Sequence, residues 1–168
     1  MKVKIILISF FFLFSCSKPI SERQLNTIID SYENYNAKGD DSPLGEYTES
    51  RFEDYAHFCD SLKTQLESVN IEKLSEDSQI SYNLLNFVLN ETIVKYKFKT
   101  HWNPILSDGG FHLSLTFRVR PLTNKKSAIK YLKLLKAIPD YINQQKVLIK
   151  KGLDAGMGQP LVIFKGYE

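Results

Sequence analysis

Ser50-Arg51-Phe52-Glu53-Asp54-Tyr55-Ala56-His57-Phe58-Cys59-Asp60-Ser61-Leu62-Lys63-Thr64-Gln65-Leu66-Glu67-Ser68-Val69 is the stretch that decides the fold. Phe52, Tyr55, Cys59, Leu62, Leu66 and Val69 recur at alternating intervals of three and four. That spacing places them on one stripe of a helix with 3.6 residues per turn. Ser50 with Glu53 has the form of a capping box at its start, and acids in a first helical turn favour the helix dipole. A helix apolar on one stripe must bury that stripe against another element.

Working outward, the neighbours offer stripes of the same period. Ser21 with Gln24 forms a second capping box, and Leu25, Ile28, Ile29, Tyr32 and Tyr35 follow at helical spacing until Gly39. Residues 40–49, with Pro43 and Gly45, read as a loop. Leu74-Ser75 opens a third helix in which Ile80, Leu84, Phe87, Val88, Ile93 and Tyr96 are expected to face inward, with Phe98 at its end. Thr123 or Asn124 starts a further helix with Ala128, Tyr131, Leu132, Leu135 and Ile138 on one face. Pro139 either kinks it or opens the next helix, which ends at Gly152. The fold class is mainly α, built from packed helices.

One segment breaks the helical pattern. Within 99–122, Phe111, Leu113, Leu115, Phe117 and Val119 alternate with His112, Ser114, Thr116, Arg118 and Arg120, which predicts one short strand. A lone strand leaves backbone groups without partners, so something that would pair with it is missing from the pattern.

The first residues have a different character. Lys2 and Lys4 precede an apolar run from Ile5 to Phe14 broken only by Ser9, and Ser15-Cys16 follows. Positive start, short apolar run and a small residue before a cysteine make an export signal over 1–15. Leu13-Phe14-Ser15-Cys16 looks like the lipobox of bacterial lipoproteins, so Cys16 is the expected lipid attachment site and residues 16–20 a tether. The run is well short of the roughly 20 residues that cross a bilayer as a helix. The expected location is the bacterial cell envelope, with the membrane as a partner through acyl groups.

Composition bounds the rest. Removing 1–15 takes away two lysines and no acid, leaving 20 basic against 19 acidic residues. With 43% hydrophobic and 12% aromatic residues the chain can bury one core, and 21–168 is one domain by length. Residues 21–91 hold 15 acids and 5 bases, and 92–168 hold 4 acids and 14 bases, so the halves neutralise each other and no nucleic-acid partner is expected. Once Cys16 is acylated, Cys59 is the only thiol, so no intrachain disulfide forms. Its place on the stripe makes it a small buried hydrophobe.

No catalytic or metal-binding constellation stands out. His57, His101 and His112 are too far apart in sequence for a helical zinc pair with its glutamate, and nucleotide-binding glycine patterns and the Gly-x-Ser-x-Gly elbow are missing. Gly152, Gly156 and Gly158 before Pro160 read as helix termination and a turn. Asp40-Asp41 and Glu53-Asp54 sit in a loop and a first helical turn.

A resemblance adds to this. Leu74-Ser75, Ser81-Tyr82-Asn83-Leu84-Leu85, Gly109-Gly110-Phe111-His112, Tyr131-Leu132, Ile138-Pro139-Asp140-Tyr141-Ile142-Asn143-Gln144-Gln145, Lys151-Gly152, Gly156 and Gln159-Pro160 follow in an order that resembles the N-terminal region of the bacterial domain of unknown function 885 family. That family is often found as envelope lipoproteins and is similar to mostly helical zinc metallopeptidases. The resemblance implies that 21–168 is the helical front of a larger zincin-like fold, stopping before the His-Glu-x-x-His zinc motif, so catalytic and metal residues are expected to be none here. Zinc and a peptide substrate belong to the full-length family by this resemblance. In that architecture Gly109, Gly110 and His112 become expected substrate-cleft residues, because paired glycines let an extended peptide approach the backbone; read from the residues alone, the pair is first a simple turn before the strand. Two other readings remain: a complete small helical lipoprotein that binds a peptide or an envelope partner, or a non-functional remnant of a broken gene.

Overall fold

The stretch read first is a helix, and it begins two residues earlier than its capping box implies. In the computed structural model, which describes residues 19–37, 42–105, 109–118 and 121–164, helix α2 runs Glu49–Glu67. Thr48, in extended conformation, caps it by accepting from the Arg51 backbone N–H at 3.3 Å, so Ser50 lies inside the first turn. Cys59, Leu62, Leu66 and Val69 are buried as the stripe requires. The signal segment and Cys16 lie outside the described residues.

Helix α1, Ile20–Ala37, and helix α3, Glu76–Lys97, pack on α2. Helix α3 opens where expected, with the Ser75 side chain accepting from the Ser78 N–H. Leu25 and Ile28 from α1, the α2 stripe, Leu74, and Leu85 and Leu89 from α3 make one core, with Ile29, Tyr32, Tyr55, Phe58, Tyr82 and Ile93 against it. Glu22 ties α1 to the start of α3, its carboxylate accepting from the Ser75 N–H at 2.8 Å and the Ser78 hydroxyl at 2.6 Å.

Helix α3 corrects the sequence reading. Ile80, Leu84 and Phe87 point outward, 66%, 62% and 66% exposed, while Leu85 and Leu89 are buried. Helix α3 is apolar on more than one side, so its own periodicity does not select a face; the α1–α2 pair does, by taking the stripe that fits.

The expected strand is also corrected. Phe111–Ser114 is a single helical turn, α4, and Thr116–Arg118 a 3₁₀ turn; Val119 lies outside the described residues. No sheet forms among the described residues: only an isolated bridge joins Ile105 and Gly110. Alternation describes which residues are apolar, but a strand needs a partner edge, and none is offered.

Helix α5 is one unbroken element, Lys125–Asp154, with Pro139 inside it. Proline removes one helical hydrogen bond, and the helix continues through it because the residues on either side keep helical geometry. Asn124 and Ser127 cap the start reciprocally. The end is a Schellman turn: Met157 N–H donates to Gly152 O at 2.8 Å and Gly156 N–H to Leu153 O at 3.0 Å, with Gly156 at φ 78°. Its buried residues, Tyr141, Gln145, Leu148 and Gly152, all lie in the second half; Leu132 and Leu135, expected inside, are 55% and 40% exposed.

Candidate functional site

Three segments far apart in sequence meet at Glu49. Helix α3 ends on Phe98, and Lys99 takes the left-handed conformation at φ 53°, the sole non-glycine residue with positive φ among those described. That turn redirects the chain into the 3₁₀ turn Thr100–Trp102. It brings Lys99, His101 and Trp102 to the first residue of α2. The Glu49 carboxylate accepts from Trp102 Nε1 at 2.6 Å, Lys99 Nζ at 3.1 Å and His101 Nε2 at 3.2 Å, and Lys151 Nζ of α5 stands at 3.4 Å.

The electrostatics follow from this arrangement. Burial alone would raise the Glu49 carboxyl, but hydrogen bonds from Trp102, Lys99 and His101 and the attraction of His101 outweigh it and hold the pKa down at about 2. Burial pulls Lys99 down, and contacts with Tyr96 and Glu49 reverse that and raise it. Its ammonium sits 3.7 Å from the Tyr96 ring centroid. His101 is pushed below its ordinary value, chiefly by burial, with Lys99 and Lys151 adding to the depression and Glu49 opposing it. The neutral ring is held between Phe52, at 4.4 Å centroid separation, and Tyr96, at 5.6 Å.

Close approach of α5 depends on Gly152. A Cβ at this position would stand 2.5 Å from the Trp102 carbonyl oxygen, so a larger residue would push the helix off the turn. Tyr47 N–H donates to Gln144 Oε1 at 2.6 Å, adding a second link between the start of α2 and α5.

A groove of about 470 Å³ opens beside this junction. Aromatic and apolar side chains, among them Tyr47, Phe52, Pro104, Phe111, Tyr141 and Leu148, form most of its wall, with His101 and Gln145 also among the lining residues. The Tyr141 hydroxyl donates to the Phe111 carbonyl at 3.3 Å, fixing α4 to α5 across one end. Such a size and mix of apolar wall with few polar groups is that of a small-ligand site.

Of the residues singled out from sequence, Gly110 lines this groove at φ 140°, a conformation that favours glycine. Gly109 precedes it, and a Cβ there would meet nothing within 4 Å. His112 falls within α4. Cys59 is fully buried and free, and burial raises its thiol. Among the described residues no group of three or more His, Cys, Asp or Glu side chains could hold a metal ion, and no helix is long and apolar enough to cross a membrane. The sequence reading missed Glu49, Gln145 and the pairing of His101 with Trp102. Its available signal was weak: a histidine and the only tryptophan adjacent to each other after a helix end.

Compared with known proteins, the chain matches no family model, no curated protein sequence and no solved structure.

Proposed function

We propose that residues 21–168 form a helical wall of a larger envelope protein of the metallopeptidase-like kind, tethered by acyl groups on Cys16, and that this portion holds substrate peptide without cleaving it. The observation that carries this reading is the outer stripe of α3. Ile80, Leu84, Phe87, Val94 and Phe98 recur at helical spacing and are 66%, 62%, 66%, 38% and 65% exposed. Single exposed apolar residues are ordinary, but a stripe running the length of a 22-residue helix, interrupted by Glu91, supports a face that further protein covers. Ile129, Leu132 and Leu135 on the first half of α5 form a second such stripe. The occupant proposed is the remainder of the same polypeptide. Zinc ligands are not supplied by the described residues, so no step of peptide hydrolysis is assigned to them.

Reading the coding DNA past Glu168 tests this directly. A continuation encoding a His-Glu-x-x-His helix is the expected result, together with dye binding to exposed apolar surface by the present chain; an unrelated downstream sequence and a chain that binds no such dye overturn it. Cys16→Ser is expected to move the protein from the membrane to the soluble fraction, and unchanged membrane association refutes the tether. The groove favours a second reading, a complete small lipoprotein that binds a peptide or partner, because its lining needs no additional chain.

A further inference from the structure

Two buried polar atoms on residues that line the groove have no hydrogen-bond partner among the described residues: His101 Nδ1 and Gln145 Nε2. Gln145 is 1% exposed and the His101 side chain 5%. Leaving such a group unpaired in a folded protein forfeits its hydration without replacement, so each calls for an explanation. Their chemistries are complementary. His101 Nε2 lies against a carboxylate, which only accepts, so the neutral ring carries its proton on Nε2 and presents Nδ1 as an acceptor. Gln145 Nε2 is a donor.

Charge narrows the ligand. Glu49 is occupied by Lys99, His101, Trp102 and Lys151, and Lys95 at the groove's edge is paired with Glu91 at 2.9 Å. The groove therefore offers a buried donor and a buried acceptor within largely aromatic walls, and no unpaired charge among the described residues that line it. A free carboxylate would find no cation there, and an ammonium no anion.

We propose that this groove binds a neutral amide, the carboxamide or peptide unit of a peptide-like ligand, whose carbonyl accepts from Gln145 Nε2 and whose N–H donates to His101 Nδ1. Tyr47, Phe52 and Phe111 supply the apolar contact for the flanking part of the ligand. The groove's volume, about 470 Å³, accommodates a short peptide segment. This assignment deepens the binding reading of the groove and stands apart from the wall reading, which the downstream DNA decides.

The test uses the full chain in detergent, with 3-phenylpropanamide as probe and 3-phenylpropanoate, which carries no amide, as its carboxylate counterpart. Binding is followed by fluorescence of Trp102, whose ring is 6.0 Å from His101. The amide is expected to bind, its carboxylate counterpart about tenfold or more weakly, and Gln145→Leu to weaken the amide by a similar factor. If that variant does not fold, the 15N shift of His101 Nδ1 in the unaltered protein decides, since an accepted hydrogen bond from the amide moves it. Equal binding of both probes, no binding at millimolar concentration, or a saturating amide that leaves Nδ1 unmoved overturns the proposal.

Discussion

Glu49→Gln keeps the size of the side chain and removes its charge, which isolates what the charge does at the junction. The carboxyl is lowered from 4.5 to about 2, a shift worth about 3 kcal/mol between its two protonation states. Its side chain is 23% exposed, so solvent screening reduces the contribution to about 2 kcal/mol. Because the folded value lies below the unfolded one, the unfolded chain takes up a proton first as pH falls. The stabilisation is therefore complete above about pH 4.5 and is lost progressively toward pH 2. At neutral pH the variant is expected to melt about 4–8 °C lower. Thermal unfolding by circular dichroism, run on both proteins from neutral to acid pH, provides the assay. Their melting curves should converge as acid protonates Glu49. A melting temperature within about 1 °C of the parent at neutral pH, or a difference that persists unchanged at the acid end, refutes the reasoning.

The remaining predictions address packing and burial. Gly152→Ala is expected to destabilise the fold by about 1–3 kcal/mol, read by denaturant unfolding, because the added methyl meets the Trp102 carbonyl at 2.5 Å. Leu89→Ala should cost about 2–5 kcal/mol and Leu84→Ala under about 0.5 kcal/mol, since the first is fully buried and the second 62% exposed; equal costs would contradict the face assigned to α3. Peptide-level thiol labelling should modify Cys59 only after denaturant is added, because the residue is fully buried and its thiol raised. His101, faced by Glu49, Lys99 and Lys151, should titrate by NMR below 6.5, so its contribution to stability falls as pH drops through that value; a titration above 6.5 would contradict its burial.

Helices α1 and α2 were legible because each carries a single apolar stripe, and one stripe admits one orientation. Helix α3 was legible as a helix but not in its facing: Leu84 and Leu85 are adjacent in sequence, and only packing on α1 and α2 sends Leu85 inward. The alternation from Phe111 to Val119 misled because period two is necessary for a half-buried strand but not sufficient. Asn124 marked the start of α5 through local chemistry, but the end read at Gly152 lies at Asp154, with Gly152 inside the helix, and Pro139 suggested a break that tertiary context overrides. The junction was illegible for a different reason. Glu49 is separated from Lys99 by 50 residues and from Lys151 by 102, and no local pattern links an acid at a helix start to cations that distant. Glu53-Asp54, the pair that did attract notice, belongs to the exposed side of α2.

That same separation sets an order of assembly. Helices α1, α2 and α3 follow one another in sequence, so their core closes with less loss of chain entropy than a contact to α5, and local contacts of this kind form early. The Glu49–Lys151 contact closes a loop of about a hundred residues and draws its geometry from a turn that exists only once α3 has ended properly at Lys99. Helix α5 is therefore expected to dock last onto a preformed platform, with the groove beside Glu49 completed at that step.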